Sequence, residues 1–136
     1  MNALKDDVVQ QSSWLLDALG FRIVAYDDYP EHFDDGFVRL ESARLNLQIV
    51  RDRGEIRAEI SSTSALNTWW DLHWIGELIP DCAYPAPTLD GVSGLLRSNI
   101  ELLSDFFGPR YRATARELRR REEERKQHGL KRFGMR

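Results

Sequence analysis

Between Phe37 and Ile60 the chain reads FVRLESARLNLQIVRDRGEIRAEI, and its apolar residues fall two apart: Val38 and Leu40, then Leu45, Leu47 and Ile49, then Ile56, Ala58 and Ile60. Side chains alternate between the two faces of a strand, so this period predicts three strands with one apolar and one polar face. A four-residue loop over Arg51-Asp52-Arg53-Gly54, with Gly54 at positive φ, sets Ile49 against Ile56, Leu47 against Ala58 and Leu45 against Ile60. The turn at Ser42-Ala43 sets Leu40 against Leu45 and Val38 against Leu47. The result is an antiparallel meander that needs cover on its apolar face and presents the other face to water or a partner.

The flanking segments supply that cover. Leu4, Val8, Ser12, Leu15 and Leu19 recur at steps of three to four, with Val9 and Leu16 beside them, and predict one amphipathic helix that stops at Gly20. Phe21–Tyr26 (FRIVAY) is short, β-branched and aromatic, and adds a fourth strand. Asn67 or Thr68 caps a predicted helix running from Trp69 to Ile79, with Asp71 near its start. Trp70, Trp74 and Leu78 then share a face, which favours core packing over a binding platform for these tryptophans. A connector with three prolines, Pro80, Pro85 and Pro87, leads to a long helix that starts near Thr88 or Leu89. Its stripe is Leu89, Val92, Leu96, Ile100, Leu103 and Phe107, and Gly108-Pro109 ends it.

These elements predict an α+β fold: a four-stranded antiparallel sheet covered by an N-terminal helix and a long amphipathic helix. Residues 1–109 form the expected domain, and residues 110–136 a basic, charged helical extension. In that extension Tyr111, Ala115 and Leu118 make a short apolar stripe, and the part beyond Leu118 is expected to project into solvent.

With 136 residues, 42% of them hydrophobic, the chain suits one core. Its lone cysteine, Cys82, has no intrachain disulfide partner. No signal-peptide pattern and no apolar run of spanning length is present, so a cytoplasmic location and no membrane contact are expected. Charge is distributed unevenly. Residues 1–108 hold 8 Lys and Arg against 18 Asp and Glu, a balance of −10, whereas residues 109–136 hold 11 against 4, a balance of +7. An acidic body argues against a general nucleic-acid coat and for a basic protein partner.

The densest negative stretch is Asp27–Asp35, expected to be a loop, in which Asp27, Asp28, Glu31, Asp34 and Asp35 sit without one Lys or Arg. His32 lies among them, but the spacing matches no EF-hand order and Pro30 interrupts helical pairing of ligands. The stretch is therefore read as solvated or as a recognition surface, and no metal is expected. The polar strand face, with Arg39, Gln48, Arg57 and Glu59, is the second surface on which a partner is expected. Asp71 and His73 stand two apart, a spacing that separates them on a helix, and His32, His73 and His128 lie in three segments. No nucleophile–base pair or phosphate loop is present, so a non-enzymatic protein without cofactor is expected. The alternative is a nucleic-acid-associated or regulatory module acting through Arg116, Arg119, Arg120, Arg121 and Arg125 of the extension.

The runs FVRLES, LNLQIVRDRGEIRAEIS and WWDLHWIGELI resemble small bacterial immunity proteins, the neutralising partners encoded beside polymorphic or contact-dependent toxins. The features carrying the resemblance are the turn Arg51-Asp52-Arg53-Gly54-Glu55 and the start of the next segment at Trp69 or Trp70, Asp71 and Leu72, within a match spanning about Phe37 to Ile79. The resemblance implies an inhibitor that occludes a cognate toxin, a basic nuclease among the possibilities.

Overall fold

The computed structural model describes residues 3–29 and 35–132 of the chain. The alternating stretch forms strands β2 (Asp35–Glu41), β3 (Asn46–Asp52) and β4 (Glu55–Ser62). They are joined by β1 (Arg22–Tyr29) on one side and β5 (Ala65–Asp71) on the other, in the order β1-β2-β3-β4-β5, all antiparallel. The sheet thus has five strands where the sequence pattern predicts four.

The additional strand corrects the helix expected from Trp69. ALNTWWD is extended, and only Leu72–Ile75 (α3) is helical, followed by a 3-10 turn over Gly76–Leu78. Thr and Trp suit a pleated surface as well as a helix, and pairing with β4 (Glu59 with Asp71, Ile60 with Trp70) decides between the two. Asp71 begins the helix as its cap, its Oδ1 accepting the His73 backbone N–H at 2.8 Å.

The predicted faces hold, but both registers slide by two. Between β3 and β4 the turn is the two-residue pair Arg53-Gly54, at φ of 54° and 83°, so Ile49 lies opposite Ala58 and Leu47 opposite Ile60. Positive φ at both turn positions is the geometry whose twist fits a two-residue hairpin. Between β2 and β3, Leu40 faces Leu47 and Val38 faces Ile49, and the Ser42 hydroxyl closes the wider turn by accepting from the Arg44 and Leu45 N–H groups. A slip of two returns every side chain to its own face, so the apolar set stays together.

The first helical segment is broken where continuity is expected. It comprises α1 (Leu4–Gln11) and α2 (Ser13–Asp17), and at the break the buried Ser12 hydroxyl meets that of Ser93 at 2.8 Å. Gly20, at φ 71°, then turns the chain into β1. Helix α4 (Leu89–Phe107) opens on Thr88, whose Oγ1 accepts from the Gly91 N–H at 3.0 Å. It kinks at Asn99, whose side chain bonds the Leu95 carbonyl at 3.0 Å. Leu4, Val8 and Leu15 from one side and Val92, Leu96 and Leu103 from the other bury the apolar sheet face. Before α4, the proline connector lies on the leading half of β4, where Pro87 accepts the Ile56 N–H at 2.9 Å. A side chain at Gly91 would collide with the Ala86 carbonyl, which accounts for a glycine inside this helix.

Helix α5 (Tyr111–Arg132) contributes Ala115 and Leu118 to the same core. The Trp70 indole N–H donates to the Tyr111 hydroxyl at 3.2 Å. Beyond Leu118 the helix does not simply project into solvent. Arg119 lies over Trp70 at 5.8 Å and Arg125 over Trp74 at 3.8 Å, while Arg125 also approaches Glu77 at 3.6 Å. Cation–π contacts thus hold the helix along α3 as far as Arg125. Among the described residues no helix is long and apolar enough to cross a membrane.

Candidate functional site: the open face of the sheet

Strand pairing arranges the uncovered face in rows that run across the strands. One row is Asp27, Phe37, Val50 and Arg57; the next is Ala25, Arg39, Gln48, Glu59 and Asp71. On β2, β3 and β4 the apolar residues of the opposite parity are the buried core, so these rows form the sheet's solvent side. Three of the residues expected from sequence, Arg39, Arg57 and Glu59, are therefore brought together with Gln48 on one surface.

Their side chains are linked. Arg39 donates through Nε and Nη2 to Gln48 Oε1 at 3.0 and 2.8 Å, and Gln48 Nε2 donates to Glu59 Oε1 at 3.0 Å. The Arg39 guanidinium also lies 5.8 Å from the Phe37 ring centre and 5.3 Å from that of Trp69. Ring faces attract a cation and shed little hydration, so these contacts fix the guanidinium without cancelling its charge. Among the described residues neither Arg39 nor Arg57 has an ion pair. Between the two arginines a recess of about 360 Å³ opens, with Phe37 and Val50 as its apolar lining and Arg51 and Asp52 also at its wall.

Carboxylates surround this centre. Asp27 is exposed at the end of the first row, Glu59 and Asp71 lie in the second, and Asp52 pairs with Glu55 at the β3–β4 hairpin on the same face. The acidic stretch is not wholly a loop as expected: Asp27 and Asp28 extend β1, and Asp35 opens β2 opposite Tyr29. Glu31 and Asp34 lie outside the described residues. Sequence reasoning passed over Phe37 and Trp69. Phe37 shares the parity of Arg39 and was detectable on that ground, whereas Trp69 was hidden by the mistaken helix.

The basic helix is differently constituted. Arg120 donates to both carboxylate oxygens of Glu117, at 3.0 and 2.6 Å, and pairs with Glu124, while Arg121 reaches Glu117 at 2.9 Å. Hydrogen bonds from Arg120 first, then from Arg121, hold the Glu117 carboxyl at about 2, well below its ordinary range. Together with the contacts of Arg119 and Arg125, this engages four of the five candidate nucleic-acid residues with neighbouring side chains; Arg116 is the exception, although Arg119 and Arg120 are exposed as it is.

His73 stacks on Tyr84 at 4.1 Å and meets the edge of Trp74 at 4.6 Å, while Asp71 caps its backbone, so its neighbours form a packing cluster. Among the described residues no three His, Cys, Asp or Glu side chains converge on a point that suits a metal ion. No family model, curated protein or solved structure matches the chain.

Proposed function

We propose that this chain is an immunity-type binding protein that neutralises a cognate bacterial toxin by occlusion, through the open sheet face and its acidic surround. The observation that carries the reading is a second sheet face left without helical cover, on which Arg39 is fixed between two aromatic rings and a glutamine. Interfaces draw most of their energy from such pre-ordered arginine and aromatic groups at their centre, ringed by polar residues. The balance of −10 over residues 1–108 favours a basic partner, a toxin nuclease being one such protein. Occlusion requires no chemistry from the chain.

Nucleic-acid binding through α5 is the weaker alternative, because most of its candidate arginines already serve ion pairs or aromatic contacts. The two readings separate in one set of measurements. Association of the toxin encoded beside this chain is followed at low and high salt for wild type and for the Asp27→Lys, Asp28→Lys double variant. The proposal expects slower association and a flatter salt dependence for the variant, with its melting temperature almost unchanged. Binding of duplex DNA or RNA that is lost when Arg119, Arg120 and Arg121 become Glu, with no toxin bound, would replace it.

A further inference from the structure

Resting on that reading, we infer that the recess between Arg39 and Arg57 receives a carboxylate side chain, Asp or Glu, that the partner presents from within an otherwise basic surface. A partner basic throughout would meet repulsion at the centre of the open face, where two arginines that make no ion pair among the described residues flank the recess of about 360 Å³. The charge pattern is a cationic centre in an acidic surround, and a complementary surface has the inverse pattern.

The chemistry of the centre is specific. Gln48 Oε1 accepts both Nε and Nη2 of Arg39, which sets the plane of the guanidinium, yet a neutral amide leaves the positive charge in place. The Phe37 and Trp69 rings restrict access of water to that charge, and a partly desolvated guanidinium binds a carboxylate more strongly than a hydrated one. Arg57 stands diagonally across Val50 and Gln48 and is exposed, so it is available to the second carboxylate oxygen. Val50 and Phe37 in the lining suit the methylene stem of an Asp or Glu.

The surround argues against other anions. Glu55, Glu59 and Asp71, with Asp52 at the edge of the recess itself, repel a small free anion or a nucleic-acid phosphate that arrives without a cationic carrier, while Arg39 and Arg57 against that one carboxylate leave the recess cationic. A carboxylate carried on a cationic protein surface gains from both zones at once. Register follows too: only the docking pose that brings that carboxylate over Arg39 matches both zones, so the centre supplies orientation and the surround supplies attraction.

The test uses a reversal of sign. If overall charge alone governed association, Arg39→Gln and Arg57→Gln would make the chain more acidic and a basic toxin would bind as tightly or more tightly. The inference expects the opposite: the equilibrium affinity of the neighbouring toxin falls roughly 30-fold or more for Arg39→Gln and about tenfold for Arg57→Gln, because a partner charge is left desolvated and unpaired. Among the toxin's carboxylates, one Asp→Asn or Glu→Gln variant should weaken binding similarly and add nothing to the loss from Arg39→Gln. Arg57 is exposed and makes no ion pair among the described residues, so its variant remains decisive should Arg39→Gln disturb the fold. Arginine variants that bind at wild-type strength or better, beside Asp27→Lys, Asp28→Lys variants that associate slowly, would overturn the carboxylate and leave the immunity reading standing. A toxin that does not bind the wild-type chain would overturn both.

Discussion

The Arg39 guanidinium lies 5.3 Å from the ring centre of Trp69, although β2 and β5 are separated by two intervening strands. On a flat sheet that separation amounts to three strand spacings of about 4.8 Å each, roughly 14 Å, which two long side chains leaning toward each other can close. The Arg39 and Trp69 side chains therefore lie along the open face, across β3 and β4, and do not stand upright from it. A polar sheet surface thereby gains an ordered cation–aromatic pair.

Trp69 is half-buried beside Arg39 and not part of the buried core, so Trp69→Ala should cost about 1 to 2 kcal/mol in urea unfolding, the worth of a partly desolvated cation–π contact. Arg39 should meanwhile lose its fixed orientation, visible as sharper, more mobile Nε–H signals in side-chain NMR. A loss above about 3 kcal/mol would mean that Trp69 belongs to the core.

The Ser12–Ser93 contact gives a prediction whose sign reverses between single and double variants. Ser12→Ala leaves the Ser93 hydroxyl buried without a partner, and stability should fall by about 1 to 3 kcal/mol. Ser12→Ala with Ser93→Ala removes both polar groups and should recover most of that loss. Denaturant midpoints of the four proteins measure the coupling directly.

Truncation separates the two halves of α5. A chain ending after Leu118 keeps Ala115 and Leu118 in the core and gives up the Arg119 contact with Trp70 and the Arg125 contacts with Trp74 and Glu77, at a cost of about 1 to 2 kcal/mol. A chain ending at Arg110 exposes the pocket that Leu118 fills and should lose at least about 3 kcal/mol. Thermal melts of the two truncated chains against full length distinguish packed from peripheral helix.

Acid should loosen α5 through Glu117. Its carboxyl, held at about 2 by the Arg120 and Arg121 hydrogen bonds, has a depressed value in the folded state. The favourable contribution is thus complete above the ordinary carboxylate value and fades as pH falls toward 2. Helicity followed by circular dichroism should decline over that range in the wild type, and Glu117→Gln should remove this part of the pH dependence. High salt should mimic the effect in part, since the group is exposed.

How much of this was legible in the sequence depends on the residue. The period of two from Val38 to Ile60 assigned faces correctly even though both turns were misjudged, because an error of two positions leaves parity intact. Ala65–Asp71 was misread because Trp70, Trp74 and Leu78 happen to fit a helical spacing, and only pairing with β4, a long-range contact, overrules that local pattern. The break at Ser12 was illegible for the same reason: the hydroxyl it meets there belongs to Ser93, 81 residues away in the chain. Arg39, Arg57 and Glu59 were placed on one polar surface from alternation alone. The participation of Trp69 beside Arg39 depends on the fifth strand and was beyond local reasoning.

The bond from Ile56 to Pro87 has a consequence for the chain's behaviour at high concentration. Pro87 accepts one hydrogen bond from the leading half of β4 and, lacking an N–H, can return none. The contact therefore occupies the stretch of β4 that β5 leaves unpaired, without offering a template on which another chain could add. At the first edge strand, the bulge between Ile23 and Ala25 spoils the straight run of donors and acceptors along β1. A sheet that must leave one broad face bare to meet a partner is thereby defended at both of these places against stacking edge to edge with its own copies, which is the ordinary route from an open sheet to a fibril.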